Sequence, residues 1–281
     1  MSAQPGLKKT LVSASVYAGL SLIATLAIFP LLFTVVSSLK QPYDLMQNPA
    51  RLIPVAPTLH YYVDLLRMFK MGMYLWNSTI VTMSTVAVAI VLSSFAAYSV
   101  VRFYPRSGRR IGYALTFTYM FPRYILAVPF YFTMARLHLI NSFSGLVIAY
   151  LSFTIPFSMY LLIGFFQAVP LEIEEAALID GASRFQTFSR VAIPLAAGGI
   201  VATAAFAFIN AWNEFFYALI LVGSGRKQTV AVALYGLLGG ETYDWGGMLA
   251  ASTMVAIPSL AFFFLVQKRI GAGMTAGAVK G

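Results

Sequence analysis

Five runs of this chain carry no Asp, Glu, Lys or Arg: Leu11–Leu39, Met71–Val101, Leu139–Leu171, Val191–Asn213 and Trp245–Gln267. A helix needs about 20 predominantly apolar residues to cross the hydrocarbon layer, and each run is long enough. A sixth stretch, 111–135, is also long and apolar, interrupted by a single charge at Arg123. The sequence therefore predicts an all-α membrane protein with six spans, near 12–36, 75–100, 111–135, 144–166, 195–221 and 247–266. A soluble core is the competing fold. With 59% hydrophobic residues, 10% charged residues and a mean hydropathy of +0.79, it would have to hide nearly the whole chain.

Residues 1–281 read as a single transmembrane domain. The 40–70 connection is rich in turn formers (Pro42, Asp44, Asn48, Pro49, Pro54, Pro57) and too short to bury a core of its own. It is expected to fold as a connection, with TLHYYVDLLR lying on the membrane surface. The apolar segment after Lys8 and Lys9 lacks a small-residue cleavage signal, so it is read as a retained span.

A net charge of +10 would suggest nucleic acid in a soluble protein. Here the basic residues are spread among loops, and their use is to set orientation. With the N-terminus inside, Lys8, Lys9, Arg102, Arg106, Arg109, Arg110, Arg184, Arg190, Lys268, Arg269 and Lys280 fall on the cytoplasmic side. Lys40, Arg51, Arg67, Lys70, Arg136, Arg226 and Lys227 fall outside, and an even span count places both termini in the cytoplasm. The absence of cysteine excludes disulfides and thiolate-bound metals. GSGR at 223–226 lacks the spacing and the lysine of a phosphate-binding loop, and no nucleophile triad, metal cluster or nucleotide fingerprint stands out. No catalytic residue or cofactor is expected.

The remaining charge concentrates in PLEIEEAALIDGASRFQTFSRVAIP, residues 170–194, where Glu172, Glu174, Glu175 and Asp180 fall within one short stretch. Pro170 suits a first helical position and the acids that follow offset the helix dipole. Gly181 is a natural bend. Ser183 and Gln186 have capping-box spacing, which starts a second helix. The predicted form is helix, turn, helix, then Pro194 leading into the fifth span. Ala176, Ala177, Gly181 and Ala182 provide a small-sided surface suited to close docking, although an ordinary solvated helix would carry the same composition.

Glu175–Ala176–Ala177, Gly181 and Val191–Ala192–Ile193–Pro194 resemble the EAA signature of ABC-importer inner-membrane permeases. Asn77–Ser78–Thr79–Ile80, LHLINSFSGLVIAY from Leu137, Thr154–Ile155–Pro156–Phe157, Phe165–Phe166, AWNEFFYAL and the ending TAGAVKG extend the likeness to the carbohydrate branch, on the MalG-like side of the maltose-type family. Val191 departs conservatively from the isoleucine often found there. The resemblance implies a type I importer permease fold in a prokaryotic inner membrane. It also implies a heterodimer with a second, homologous permease, two ABC ATPase subunits that hydrolyse ATP, an extracytoplasmic sugar-binding protein and a di- or oligosaccharide substrate. Glu174, Glu175, Ala176, Ala177 and Gly181 would form the coupling contact with the ATPase. Import of another solute such as glycerol 3-phosphate fits the same architecture. A scaffold or receptor without transport would have no need for the EAA spacing.

Polar groups at membrane depth are the remaining candidates. Arg123 sits between Pro122 and Pro129, and Asn210, Trp212, Asn213 and Glu214 lie in the fifth span. An intramembrane carboxylate is costly unless it is paired or functional. These five residues are expected to form either a polar network between helices, with an Arg123–Glu214 pair as one version, or part of the substrate path. Tyr119, Phe121, Tyr124 and Tyr131 supply aromatic faces nearby.

Overall fold

The computed structural model describes residues 5–120, 122–223, 225–238 and 244–278. The described residues are helical or irregular, with no strand among them. They form two compact units, one of residues 1–70 with 237–254 and one of residues 71–236 with 255–281.

The first unit begins with α1 (Pro5–Ser37), whose apolar residues from Val12 to Leu32 are exposed, as a lipid-facing helix requires. Two short helices follow, α2 (Pro42–Gln47) and α3 (His60–Arg67). The connection around them is folded, as expected, and it is organised by a buried lysine. Lys40 is fully buried, donates from Nζ to the carbonyls of Pro49 (2.8 Å) and Asn48 (3.4 Å), and lies 5.5 Å from the Phe33 ring centroid. Those oxygens and the ring face stand in for the water it gives up. Amphipathic α3 buries Tyr61 and Leu65, and the Tyr61 ring occupies the space a Cβ on Gly246 would need.

The second unit is built on α4 (Met71–Arg102), which packs along α7 (Phe143–Gln167), with α11 (Ala197–Trp212) against both. Close approach follows from small residues: Ala89, Ser93 and Ala97 of α4 and Ala149 of α7 are buried. A Cβ on Gly199 of α11 would overlap the Phe165 ring of α7. The Asn77 amide donates to the carbonyls of Arg226 (2.8 Å) and Gln228 (2.9 Å), and Ser78 Oγ accepts from Val230 N–H (2.8 Å). These bonds pin the start of α4 to the turn that precedes α13 (Val230–Leu237).

Four described helices are long and apolar enough to span: Val12–Ser37, Met71–Arg102, Phe143–Gln167 and Trp245–Gln267, the last within α14 (Trp245–Ala278). A fifth is reached if the segments Arg184–Leu195 and Ala197–Trp212, bent by 75°, count as one. The chain is thus an all-α, multi-pass membrane protein. The 111–135 stretch is not one helix. It is α5 (Pro105–Met120), a 3-10 turn (Arg123–Leu126) and α6 (Ala127–Arg136). The 195–221 stretch breaks at 213–215, between α11 and α12 (Phe216–Val222). Pro122, itself in an extended conformation (φ −65°, ψ 98°), stands at the first interruption.

Candidate functional site

Two sites emerge, one at the charged loop and one where the broken helices meet. The loop has the form its sequence predicts. Helix α8 (Leu171–Ile179) is followed by Gly181 at φ +87°, a left-handed conformation that glycine adopts without strain. Ser183 then caps α9 (Arg184–Thr187) in a complete capping box: Gln186 N–H donates to Ser183 Oγ (3.2 Å), and Ser183 N–H to Gln186 Oε1 (2.7 Å). A π-helical turn (Phe188–Ala192) and α10 (Ile193–Leu195) carry the chain to the 75° bend. Pro170 caps α8 rather than occupying its first turn.

The burial of α8 is inverted. Leu171, Ile173 and Ile179 are exposed, Ile179 by 86%, while Glu174 is 3% exposed. Glu174, which the resemblance places at the docking contact, is therefore turned inward. Arg102, the last residue of α4, donates to Glu174 Oε1 from Nε (2.9 Å) and Nη2 (2.7 Å), and Tyr98 O–H donates to Oε2 (2.8 Å). Arg102 Nη2 also reaches the carbonyls of Val169 (2.8 Å) and Phe166 (3.2 Å) at the end of α7. A fully hydrogen-bonded pair of this kind compensates the desolvation of both charges. It ties α8 to the ends of α4 and α7, while Glu175, Ala176 and Gly181 remain exposed and Ala177 half-buried.

At the broken helices, Tyr217 of α12 donates to the Arg123 carbonyl (2.8 Å), giving a partner to a backbone group freed by the interrupted span. The Glu214 carboxylate accepts from Tyr217 N–H and Ala218 N–H, each at 3.2 Å, and so caps the start of α12. Arg123 and Glu214 share this neighbourhood but form no ion pair; instead the guanidinium lies 4.7 Å from the Phe153 ring centroid and 5.0 Å from that of Tyr124. A cavity of about 850 Å³ opens beside it, lined among others by Arg123, Tyr124, Phe153, Thr154, Asn210 and Tyr217.

The five polar candidates consequently separate. Arg123 and Asn210 line the cavity, whereas Trp212, Asn213 and Glu214 do not. Trp212 is buried against Phe208, and the Asn213 amide donates to the Ile209 carbonyl within its own helix end. Of the aromatic candidates, Tyr124 lines the cavity and Tyr131 does not. Phe121 and the Tyr119 side chain lie outside the described residues. Among the described residues no group of His, Cys, Asp and Glu is arranged to hold a metal.

Sequence reasoning missed Arg102 and Tyr98. The sequence marks Arg102 only as a cytoplasmic charge. The available signal was an Arg four residues after a Tyr at the end of an apolar run.

A multi-pass helical protein with interrupted spans around a partly polar cavity, and an outward-facing helical loop held by a buried ion pair, has the construction of a membrane permease. Residues 89–276 match the family described as binding-protein-dependent transport system inner membrane component. The chain is 32% identical to the inner membrane ABC transporter permease protein YcjP of Escherichia coli, over 98% of this chain and 99% of that one. It is 35% identical to SugB, a trehalose transport system permease protein of Mycobacterium tuberculosis, over 93% and 95%. A chain of a bacterial ABC transporter involved in import of the acidic polysaccharide alginate shares the fold, with TM-score 0.77 and 23% identity, covering 95% of this chain and 98% of that one.

The chain belongs to this family of inner-membrane ABC transporter permeases. It is a transport subunit, and the ATP hydrolysis that drives it is performed by a separate ATPase.

Proposed function

We propose that this permease serves an importer of di- or oligosaccharides, working with a second permease, two ATPase subunits and an extracytoplasmic sugar-binding protein. Its family and its trehalose-system relative support the substrate class. Both compact units belong to one six-span permease whose third and fifth spans are the broken ones, with both termini in the cytoplasm. The 170–194 loop is the coupling element. Glu175, Ala176, Ala177 and Gly181 meet the ATPase, and Glu174 holds the loop to the membrane helices from inside. The observation that carries the coupling role is α8 itself, a helix whose isoleucines face outward and whose one buried residue is a carboxylate. A solvated surface helix has no reason for that inversion, whereas a helix seated in a partner's groove does.

Movement of the closing ATPase dimer would reach α8 first. Through Glu174–Arg102 it passes to the ends of α4 and α7, the two helices that frame the second unit. Purification of the complete native complex tests this reading. The expected result is a co-purifying ATPase whose hydrolysis rises when sugar-loaded binding protein is added. A chain isolated without any ATPase would defeat it.

A further inference from the structure

Helix α3 lies across the ends of two membrane spans. Its entry is tied to the end of α1, where Thr58 N–H donates to the Leu39 carbonyl (2.8 Å). Ser38 Oγ donates to the Val35 carbonyl (2.7 Å) and accepts from Tyr62 O–H (2.6 Å). The neighbouring Tyr61 packs its ring on Gly246, in the first turn of α14. Both contacts are at span limits. Exposed apolar side chains line α1 as far as Val35, and burial begins at Ser37. Trp245, the first residue of α14, is exposed, and tryptophan is enriched where membrane meets water. Two points therefore fix α3 at the depth of the membrane boundary.

At that depth the helix has one face more than a soluble surface helix needs. With about 100° between successive residues, its side chains fall into three sectors. Tyr61 and Leu65 are buried against the protein. His60, Asp64 and Arg67 form a polar sector, with His60 Nε2 3.2 Å from Asp64 Oδ2. Leu59, Val63 and Leu66, spaced by four and three, form the third sector, and all three are exposed. A helix between a core and water has use for two such sectors. A helix on the flank of a membrane protein meets protein, water and lipid, and has use for all three. Arg67 in the last turn and Lys70 just beyond it are both exposed, which sets two cations on long apolar stems beside the leucines.

We infer that α3 is an interfacial anchor whose partner is the lipid surface, with Leu59, Val63 and Leu66 seated in the leaflet at which α1 ends and Arg67 on lipid phosphate. Lipid is the neighbour of any face that the protein leaves open at this depth, and the basic residues match the charge of its headgroups. The anchor holds the ends of α1 and α14 at the boundary whatever solute is carried, so it stands apart from the substrate reading.

The chain has no cysteine, so nitroxide labels can be placed singly. The complete transporter, its other subunits freed of reactive cysteines, is reconstituted in nanodiscs of phosphatidylethanolamine and phosphatidylglycerol with a label at His60→Cys, Val63→Cys or Leu66→Cys. Power saturation compares collisions with oxygen, which partitions into the bilayer, and with a nickel chelate, which stays in water. Oxygen is expected to dominate at 63 and 66 and the chelate at 60, so that the accessibility ratio inverts within two turns of helix. Dominance of the chelate at 63 and 66 would mark a face open to water. Shielding of both positions from both reagents would mark a protein neighbour, a second permease or a binding protein. Either result overturns the anchor. The three substitutions replace exposed side chains, and ATPase activity equal to that of the unlabelled complex confirms that each labelled one is folded.

Discussion

Arg102 and Glu174 are withdrawn from water together to an extent that makes neither neutral to remove. Their side chains are 12% and 4% exposed, and Glu174 already holds every hydrogen bond its two oxygens receive from Arg102 and Tyr98. Replacing Arg102 by Met strands a buried carboxylate, a change that costs about 3–5 kcal/mol in comparable buried pairs. Arg102→Met should therefore lower the thermal unfolding midpoint of the solubilised complex strongly. Arg102→Met with Glu174→Met should restore most of it, because two apolar groups replace two charges. If the pair also transmits motion, the double variant will hydrolyse ATP while transporting poorly. Full transport by a refolded double variant would reduce the pair to a structural clamp. None of this was visible in the charge pattern, which singled out 170–194 but made its three glutamates look equivalent. Which of them turns inward depends on where α4 ends in space, and a linear sequence does not carry that.

At the scale of elements, the 170–194 loop was the most legible part of the chain, since its signals are local. A capping box needs only two residues at fixed spacing, and both of its bonds form. Gly181 is similarly self-contained. At φ +87° with open space around it, the position tolerates bulk but not the conformational demand of a side chain, which is worth about 1–2 kcal/mol in left-handed geometry. Gly181→Leu should leave the protein in the membrane yet abolish ATPase assembly or stimulation; wild-type transport by that variant would show that the turn is not part of the contact. Gly199 makes the opposite case. Its φ needs no glycine, but the Phe165 ring sits where a Cβ would go, and overpacking of this kind costs about 1–3 kcal/mol. Gly199→Leu should lower the amount of folded permease recovered from membranes, with Phe165→Ala as the partial rescue. The spans were legible as apolar runs, but their interruptions were not. Pro122 announced the first break, whereas the break at 213–215 follows Trp212 with no proline or glycine in it, and it is Glu214 capping α12 that stabilises the restart.

For the whole molecule, the number of crossings turns on the two broken stretches, since neither is a single long helix. The six-span topology requires each broken stretch to pass from one face to the other; a re-entrant loop would return its ends to the same face. The chain contains no cysteine, so single-cysteine reporters can be introduced without altering a background. Ser107 and Ser144 are exposed and flank the third stretch, while Ser183 and Arg226 are exposed and flank the fifth. With both termini inside, a membrane-impermeant maleimide applied to intact cells should label Ser144→Cys and Arg226→Cys, and should reach Ser107→Cys and Ser183→Cys only after permeabilisation. Gln41→Cys, exposed just beyond α1, should label from outside and fixes the orientation of the first span independently. Labelling of Ser107→Cys and Ser144→Cys from the same face would make the Arg123 break a re-entrant loop. The cavity would then open to one side only, and a permease whose central polar groups cannot be reached from both sides cannot alternate access through them.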